Sequence, residues 1–167
     1  MRLLGIDPGL LNTGWGIIDS IQDKITWIAS GKISPKSNIE MSERLKIIHV
    51  GLNKIINEHQ PDSVGIEEIY VNNNGQSTLK LGMARGAAIT SCSLNNLQVK
   101  EYSPTTVKKA VTGTGKAKKD QVAAMVKILL PGCKYSSEDE SDALAIAICH
   151  THYFQANKNI MENYYDS

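Results

Sequence analysis

The sequence has few of the features that mark secreted, membrane-bound or zinc-thiolate proteins. Its three cysteines are widely spaced and form no CxxC pair, which excludes a disulfide framework and predicts buried, reduced thiols. No apolar run approaches the roughly 18 residues that a membrane-spanning helix needs. Asp7 and Pro8 interrupt the apolar opening, so we expect no signal peptide. These absences predict a cytoplasmic protein without a membrane partner.

The sequence also lacks a large excess of positive or negative charge, because the net charge is only +1. A sum this small gives no support for a nucleic-acid partner. The distribution along the chain is uneven, however. Residues 100–127 hold seven lysines against Glu101 and Asp120, and residues 138–167 hold six acids against Lys158. Such segregation predicts a basic surface beside an acidic site, although solvated charged faces also segregate by chance.

Length and periodicity predict a single α/β domain. Hydrophobic content of 41% over 167 residues is typical of one globular unit. Apolar periodicity and turn residues predict strands at about 1–7, 14–19, 25–33, 63–67 and 99–102. Helices are predicted from a Ser37–Glu40 capping box to Pro61, and at about 77–93, 104–113, 119–130 and 137–154. A polar, flexible tail is expected at 155–167, which leaves 1–154 as the folded domain.

The order of these elements predicts a mixed sheet. Short polar turns join the first three strands into an antiparallel meander. Crossover helices make the fourth and fifth strands parallel to the first, with helices on both faces of the sheet. Ser103 followed by Pro104 is a helix N-cap with proline at the first helical position. Gly82 and Gly86 each cost their helix about 1 kcal/mol, so they imply a close approach by another backbone.

Two of the predicted parallel strands end in acid. The first strand runs into Asp7-Pro8-Gly9, where proline prevents the ladder from continuing. Taken alone, Asp7 is better explained as the cap of its own turn. The fourth strand ends in Glu67, followed by Glu68. Parallel neighbours place their final residues at the same edge of the sheet, where open α/β sheets bind ligands.

A further pair of acids begins the last helix. Asp139 and Asp142 are three residues apart and therefore share a helix face. The preference of acids for a first helical turn accounts for Glu138, Asp139 and Glu140. It accounts less well for Asp142, which lies a turn inside and precedes an apolar stripe. Asp142 is therefore a candidate site residue.

Four converging carboxylates would repel one another unless cations lay among them. Oxygen ligands without histidine or cysteine select hard ions such as Mg²⁺ or Mn²⁺. Two such ions about 4 Å apart can hold the attacking and leaving oxygens of a phosphoryl displacement, and the basic segment would hold phosphate. From the pattern alone, metal-dependent phosphodiester cleavage and a merely acidic, well-capped fold both remain open.

Five stretches together resemble the RuvC family, the bacterial Holliday-junction resolvases. They are LLGIDPGLLNTGWGIID, IEEIY, STLKLGMARGAAI, YSPTTVKKAVTGTGKAKKDQV and DESDALAIAICH. They occur in the order and spacing of that family and cover the chain apart from its tail. The resemblance implies a ribonuclease H-like fold with sheet order 3-2-1-4-5. It also implies a Mg²⁺-dependent homodimeric endonuclease that makes paired nicks in four-way DNA junctions and works with a branch-migration helicase.

The resemblance also assigns roles to individual residues. The catalytic, metal-binding acids of the family correspond to Asp7, Glu67, Asp139 and Asp142. Its phosphate-contacting lysines correspond to Lys108 and Lys119, its base-disrupting aromatic residue to Tyr70, and its dimer helix to the one with Gly82 and Gly86. Glu68 is then a non-catalytic neighbour expected to point to the other face of the strand. Two positions depart from the family: Asn73 stands where lysine is common, and the tail is slightly acidic.

Other interpretations of the same residues are weaker. Asp7-Pro8-Gly9 with Gly14 and Gly16 resembles the phosphate hairpin of actin-like ATPases, which normally need two such domains. A junction-binding protein without catalysis is the non-enzymatic alternative. Gly113–Lys116 lacks the first glycine and the final Ser or Thr of a Walker A loop. His150 and His152 face different sides of their helix, so we expect structural or surface roles for them.

Overall fold

The computed structural model describes residues 1–22, 24–69 and 75–165, with side chains as far as residue 154. Its strands are β1 (Arg2–Asp7), β2 (Thr13–Ile21), β3 (Lys24–Ile33), β4 (Ser63–Glu67) and β5 (Gln98–Tyr102). Its helices are α1 (Met41–His59), α2 (Gly75–Leu94), α3 (Pro104–Thr112), α4 (Lys119–Leu129) and α5 (Glu138–Tyr165). The strands form one sheet in the order β3-β2-β1-β4-β5, which confirms the expected order. β1 is antiparallel to β2 and parallel to β4.

Strand alternation divides the core between the two faces of the sheet. Leu4 and Ile6 of β1 pack with α1 and α2, whereas Leu3 packs with α3, α4 and α5. Since Asp7 is an even number of residues from Leu3, its side chain belongs to the face that α5 covers. The same alternation places Glu67 on that face, because Val64 and Ile66 pack toward α1 and α2. Both acids therefore point to the side of α5.

A row of glycines brings α5 unusually close to the sheet. Gly5 of β1 pairs with Gly16 of β2 and with Gly65 of β4, so three neighbouring strands lack side chains at one level. A Cβ at Gly5 would overlap the Ala143 carbonyl oxygen of α5. The helix thus packs against bare backbone, and side chains on its first turns reach the ends of β1 and β4.

Several predicted helix ends differ from the structure. α1 begins at Met41 with Glu40 as N-cap and no side-chain cap bond, so the Ser37–Glu40 capping box was wrong. The prediction for α3 is confirmed, because the Ser103 hydroxyl oxygen accepts a 3.1 Å hydrogen bond from the Thr106 amide. α5 continues to Tyr165, beyond its predicted end at residue 154.

Other predictions about α2, the cysteines and membrane spans can also be compared with the structure. Among the described residues, no atom that could clash lies within 4 Å of a Cβ built at Gly82 or Gly86, so this part of the chain does not supply the predicted close backbone approach. All three cysteines are free; Cys92 and Cys149 are buried, and Cys133 is partly exposed. Within the described ranges, no helix is both long enough and apolar enough to cross a bilayer.

Candidate active site

Asp7 and Glu67 lie side by side at one edge of the sheet. They end β1 and β4, whose last registered pair is Ile6 with Ile66. Both acids are partly buried, because α5 covers this face up to the strand ends. The parallel pairing of two separate strand ends thus brings together carboxylates that are far apart in the sequence.

The first turns of α5 supply the other two predicted acids. A Cβ at Gly14, the β2 partner of Asp7, would overlap the Asp139 carbonyl oxygen, so glycine is needed for the helix to begin here. Asp139 lines a cavity of about 380 Å³ together with Asp7 and Glu67. Asp142 lines a second cavity of about 290 Å³ with the same two acids. The four predicted acids therefore meet around Asp7 and Glu67.

Burial and mutual repulsion change the acidity of the two central carboxylates. Burial raises the pKa of Asp7 to about 6, and the negative charges of Asp142 and Asp139 contribute. Burial likewise raises the pKa of Glu67 to about 7, with contributions from Asp7 and Asp142. The nearby cation of Lys119 opposes both shifts. Accumulated negative charge at this edge makes it a site that favours cations.

The two predicted phosphate-binding lysines face these acids. Lys119 Nζ lies 3.2 Å from Asp142 Oδ2 and 3.9 Å from Glu138 Oε2, at the mouth of the second cavity. The Asp142 charge raises the pKa of Lys119. Lys108 lines the same cavity, and its charge lowers the pKa of Glu67. α3 and α4 thus carry one ammonium group each to the acidic edge.

Two further residues line the first cavity. Glu68 follows the last residue of β4 and donates its amide to the Tyr102 carbonyl at 2.8 Å, so the strand alternation from which its direction was predicted does not extend to it. Asn12 lines that cavity too, and its Oδ1 accepts a 2.8 Å hydrogen bond from the Ser34 hydroxyl. Sequence reasoning missed Asn12, since an asparagine in a turn is expected for turn geometry alone.

Glu140 is also held in a way that the sequence did not indicate. Its carboxylate is buried and accepts hydrogen bonds from the hydroxyls of Ser30, Ser136 and Ser137, at 3.0, 2.9 and 3.1 Å. Ser30 belongs to β3, so this acid fastens the start of α5 to the far edge of the sheet. Its role is therefore structural, beyond the first-turn preference inferred from the sequence.

The donor set fits hard divalent cations bound in an open site. All four acids offer oxygen only, as Mg²⁺ and Mn²⁺ prefer. Among the described residues, no three His, Cys, Asp or Glu side chains form a closed cluster ready to hold a metal ion. Mg²⁺ usually takes one or two carboxylates and completes its shell with water and substrate phosphate. An open edge lined by carboxylates matches that mode of binding.

Of the remaining predicted residues, the two histidines can be compared with the structure and the other two cannot. Tyr70 and Asn73 fall outside the described residues. His150 is fully buried in α5 and His152 is exposed, in agreement with structural and surface roles.

Comparison with known proteins identifies the family. The sequence profile of the family described as crossover junction endodeoxyribonuclease RuvC matches residues 3–150. The chain belongs to the RuvC family. A RuvC from Paramagnetospirillum magneticum is 49% identical over 153 residues, which cover 92% of each chain. A RuvC from Brucella suis is 44% identical over 156 residues, covering 93% of this chain and 90% of the relative.

Solved RuvC structures agree with this fold. Thermus thermophilus RuvC matches with a TM-score of 0.83 at 28% identity, covering 94% of this chain and 97% of that one. The same protein in complex with Holliday junction substrate matches with a TM-score of 0.87 at 29% identity, covering 94% and 96%. The yeast mitochondrial resolvase Ydc2, at 14% identity and a TM-score of 0.64, shares the fold. The comparisons favour neither the actin-like ATPase nor the non-catalytic alternative.

Proposed function

We propose that this protein resolves Holliday junctions as a metal-dependent endonuclease. It nicks two symmetric strands of a four-way DNA junction and leaves 5′-phosphate and 3′-hydroxyl ends. The observation that carries the proposal is the convergence of four carboxylates and two lysines at one sheet edge in a chain of the RuvC family. Phosphoryl transfer needs cations and a phosphate grip together, and this edge has residues for both.

The acids are proposed to hold Mg²⁺, with Mn²⁺ as a substitute. Asp7 and Glu67 line both cavities, whereas Asp139 lines one and Asp142 the other. This arrangement would let the central pair be shared between two ions. When bound, such ions supply Lewis-acid stabilisation of the attacking and leaving phosphate oxygens.

Lys108 and Lys119 are proposed to hold the scissile phosphate. The Lys119 side chain is 71% exposed, so its contact with Asp142 is a surface ion pair worth about 0–1 kcal/mol. A bond this weak leaves the ammonium free to move to a phosphate oxygen when DNA enters. Both lysines would then offset charge that develops in the transition state.

A two-fold dimer is proposed to match the two equivalent strands of the junction. Leu79, Gly82, Met83 and Gly86 follow the i, i+3, i+4, i+7 spacing and share one face of α2. Leu79 is 63% exposed and Met83 is 39% exposed, and among the described residues nothing lies within 4 Å of a Cβ built at Gly82 or Gly86. A second α2 helix could therefore approach this stripe closely. A branch-migration helicase as a further partner remains a proposal from family resemblance.

Tyr70 is proposed to act through its aromatic ring. Opening a junction unstacks a base, and stacking on an aromatic face returns about 1–3 kcal/mol per base. We expect Tyr70→Phe to cut nearly as well as the wild type, whereas Tyr70→Ala should cut slowly and bind almost normally. A fluorescent adenine analogue beside the nick site measures base opening. Equal brightening with wild-type and Tyr70→Ala protein would contradict a role for the ring.

The experiment for the function is an incubation with a labelled four-way junction, with and without Mg²⁺. We expect paired nicks only when Mg²⁺ is present, and none on a linear duplex of the same sequence. Asp7→Asn is the matched control: it keeps the side-chain shape but loses the charge, so it should bind the junction without cutting it. A gel shift without cutting in Mg²⁺ or Mn²⁺ would indicate a junction-binding protein, and ATP turnover without cutting would indicate the ATPase.

A further inference from the structure

A buried polar chain crosses the interface between α5 and the sheet, away from the acids. The fully buried His150 lies in the middle of it. Its Nε2 atom is 2.9 Å from the Ser63 hydroxyl at the start of β4, and its Nδ1 atom is 2.7 Å from the Tyr102 hydroxyl at the end of β5. These hydrogen bonds tie one helix to two strands.

The direction of each hydrogen bond follows from the proton count. The Ser63 hydroxyl donates its only proton to the Gln98 carbonyl at 3.0 Å. It must therefore accept from His150 Nε2–H, which leaves Nδ1 to accept from the Tyr102 hydroxyl. Burial lowers the pKa of His150 to about 4, so the ring is neutral at working pH. With the proton of His150 on Nε2, both ring nitrogens and both hydroxyl groups therefore have hydrogen-bond partners.

Tyr102 connects this chain to the acidic edge. It pairs with Glu67 across the β4–β5 ladder, and its carbonyl accepts the Glu68 amide at 2.8 Å. The next residue, Ser103, caps α3, the helix that carries Lys108. One residue therefore contacts the end of the acid-bearing strand through its backbone and α5 through its hydroxyl.

The glycine row explains why such a connection is needed. α5 crosses Gly5 and Gly65, which offer no side chains to interlock with the helix. Bare backbone at these positions permits close packing but contributes no side chain that would set the position of the helix along its axis. Hydrogen bonds are directional, so the bonds at His150 can set that position.

We propose that Tyr102, through its hydroxyl bond to His150, is a positioning residue that holds Asp139 and Asp142 of α5 opposite Glu67. It contacts neither DNA nor the reacting atoms. The inference rests on the proposed function, since it assigns these acids to one metal-binding edge. Groups hydrogen-bonded directly to metal ligands change metal affinity or activity by about 10- to 100-fold when removed. Tyr102 acts one step further away, through α5, so we expect an effect at the lower end of that range.

The test compares two variants with the same chemical change. Tyr102→Phe removes the hydroxyl that bonds to His150 and keeps the ring. Tyr153→Phe is the matched control, because Tyr153 belongs to the same aromatic cluster and its hydroxyl has no hydrogen bond within the described part of the chain. Mn²⁺ binding by calorimetry, without DNA, is the first measurement. The rate of junction cleavage against Mg²⁺ concentration is the second.

We expect Tyr102→Phe to bind Mn²⁺ about tenfold more weakly and to need correspondingly more Mg²⁺ for half-maximal cleavage, with junction affinity unchanged. Tyr153→Phe should match the wild type in Mn²⁺ affinity, in the Mg²⁺ concentration needed for half-maximal cleavage and in junction affinity. Ser63→Ala, which removes the acceptor of His150 Nε2–H, should shift Mn²⁺ affinity in the same direction. The double variant Ser63→Ala, Tyr102→Phe should be less than additive, because both changes act through one ring.

A merely structural role would give a different result. Tyr102→Phe would then melt at a lower temperature but show wild-type Mn²⁺ affinity per folded molecule, and this result would overturn the inference. If Tyr102→Phe does not fold, the Mn²⁺ affinity of Ser63→Ala per folded molecule distinguishes the positioning role from the structural one. A wild-type protein that binds Mn²⁺ but never cuts junctions would overturn the proposed function instead, while the Mn²⁺ comparison would still test the positioning role.

Discussion

Asp7 ionises less readily in the folded chain than in an unfolded one. Its pKa is raised to about 6 and that of Glu67 to about 7, chiefly by burial. The native protein therefore keeps two protons that the unfolded chain loses near pH 4. The associated stability is fully present below pH 4 and is lost as the pH rises toward 7. The acidic edge thus costs stability at neutral pH when no cation is bound.

We predict that metal-free protein becomes less stable between pH 4 and pH 7, and that Asp7→Asn removes part of this loss. At about 1.36 kcal/mol per pKa unit, the two shifts together correspond to roughly 3–6 kcal/mol, the lower figure after discounting for partial exposure. Urea unfolding at a series of pH values between 4 and 7 measures this change in the free energy of unfolding. Mg²⁺ should raise the stability of the wild type at neutral pH more than that of Asp7→Asn, because binding to the folded state stabilises it. A flat pH profile for the wild type would contradict the prediction.

Lys108 and Lys119 both lie close enough to the acids to influence their ionisation. The charge of Lys119 opposes the rise in the pKa of both Asp7 and Glu67, whereas the charge of Lys108 opposes only that of Glu67. We predict that Lys119→Ala and Lys108→Ala lose cleavage rate more than junction affinity. Each should flatten the slope of log K against log salt by roughly one unit if its phosphate contact exists in the bound state. Unchanged rate and unchanged slope would make both lysines ordinary surface charges.

At the scale of elements, the site depends on how closely α5 lies on the sheet. Gly14 faces the Asp139 backbone and Gly5 faces that of Ala143. Neither contact can be relieved by moving a flexible side chain, because the obstructing atoms are backbone carbonyls. The spacing between α5 and the ends of β1 and β4 is therefore set by glycine.

We predict that Gly14→Ala destabilises the protein by about 1–3 kcal/mol, the usual cost of overpacking. It should also reduce cleavage beyond the loss of folded protein, because it pushes Asp139 away from Asp7. Denaturant titration and cleavage per folded molecule measure the two effects. Gly75→Ala is the control, since no atom of the described residues lies within 4 Å of a Cβ built there. Equal behaviour of the two variants would show that α5 tolerates a wider spacing.

At the scale of the whole molecule, the exposed stripe of α2 predicts self-association. Among the described residues, nothing lies within 4 Å of a Cβ built at Gly86, so Gly86→Leu should leave the monomer fold intact. We predict that it separates a wild-type dimer into monomers in sedimentation and lowers paired nicking. Ile128→Ala, which removes an exposed side chain of α4 on the opposite face of the sheet, should leave the dimer unchanged. A monomeric wild type at micromolar concentration would contradict the proposed dimer.

Much of the fold could be predicted from the sequence because its signals are local. Asp7-Pro8-Gly9 ends a strand wherever it lies, and Ser103-Pro104 begins a helix, since both act within a few residues. Periodicity separates one face of each element from the other, and the predicted parallel pairing of the first and fourth strands was enough to place Asp7 and Glu67 at one edge of the sheet. Helix ends set by weaker signals were less accurate, as the absent Ser37–Glu40 capping box shows.

Only the tertiary structure decided which residues that are distant in the sequence contact each other. Periodicity says that a side chain faces the core but not which partner it meets. The bond between Ser30 and Glu140, the contact between Gly14 and Asp139, and the bonds of His150 all join elements far apart in sequence. These contacts form only when α5 lies across the glycine row. The sequence alone determined which residues carry charge and end the strands, and close packing of α5 on bare backbone decided where those charges meet.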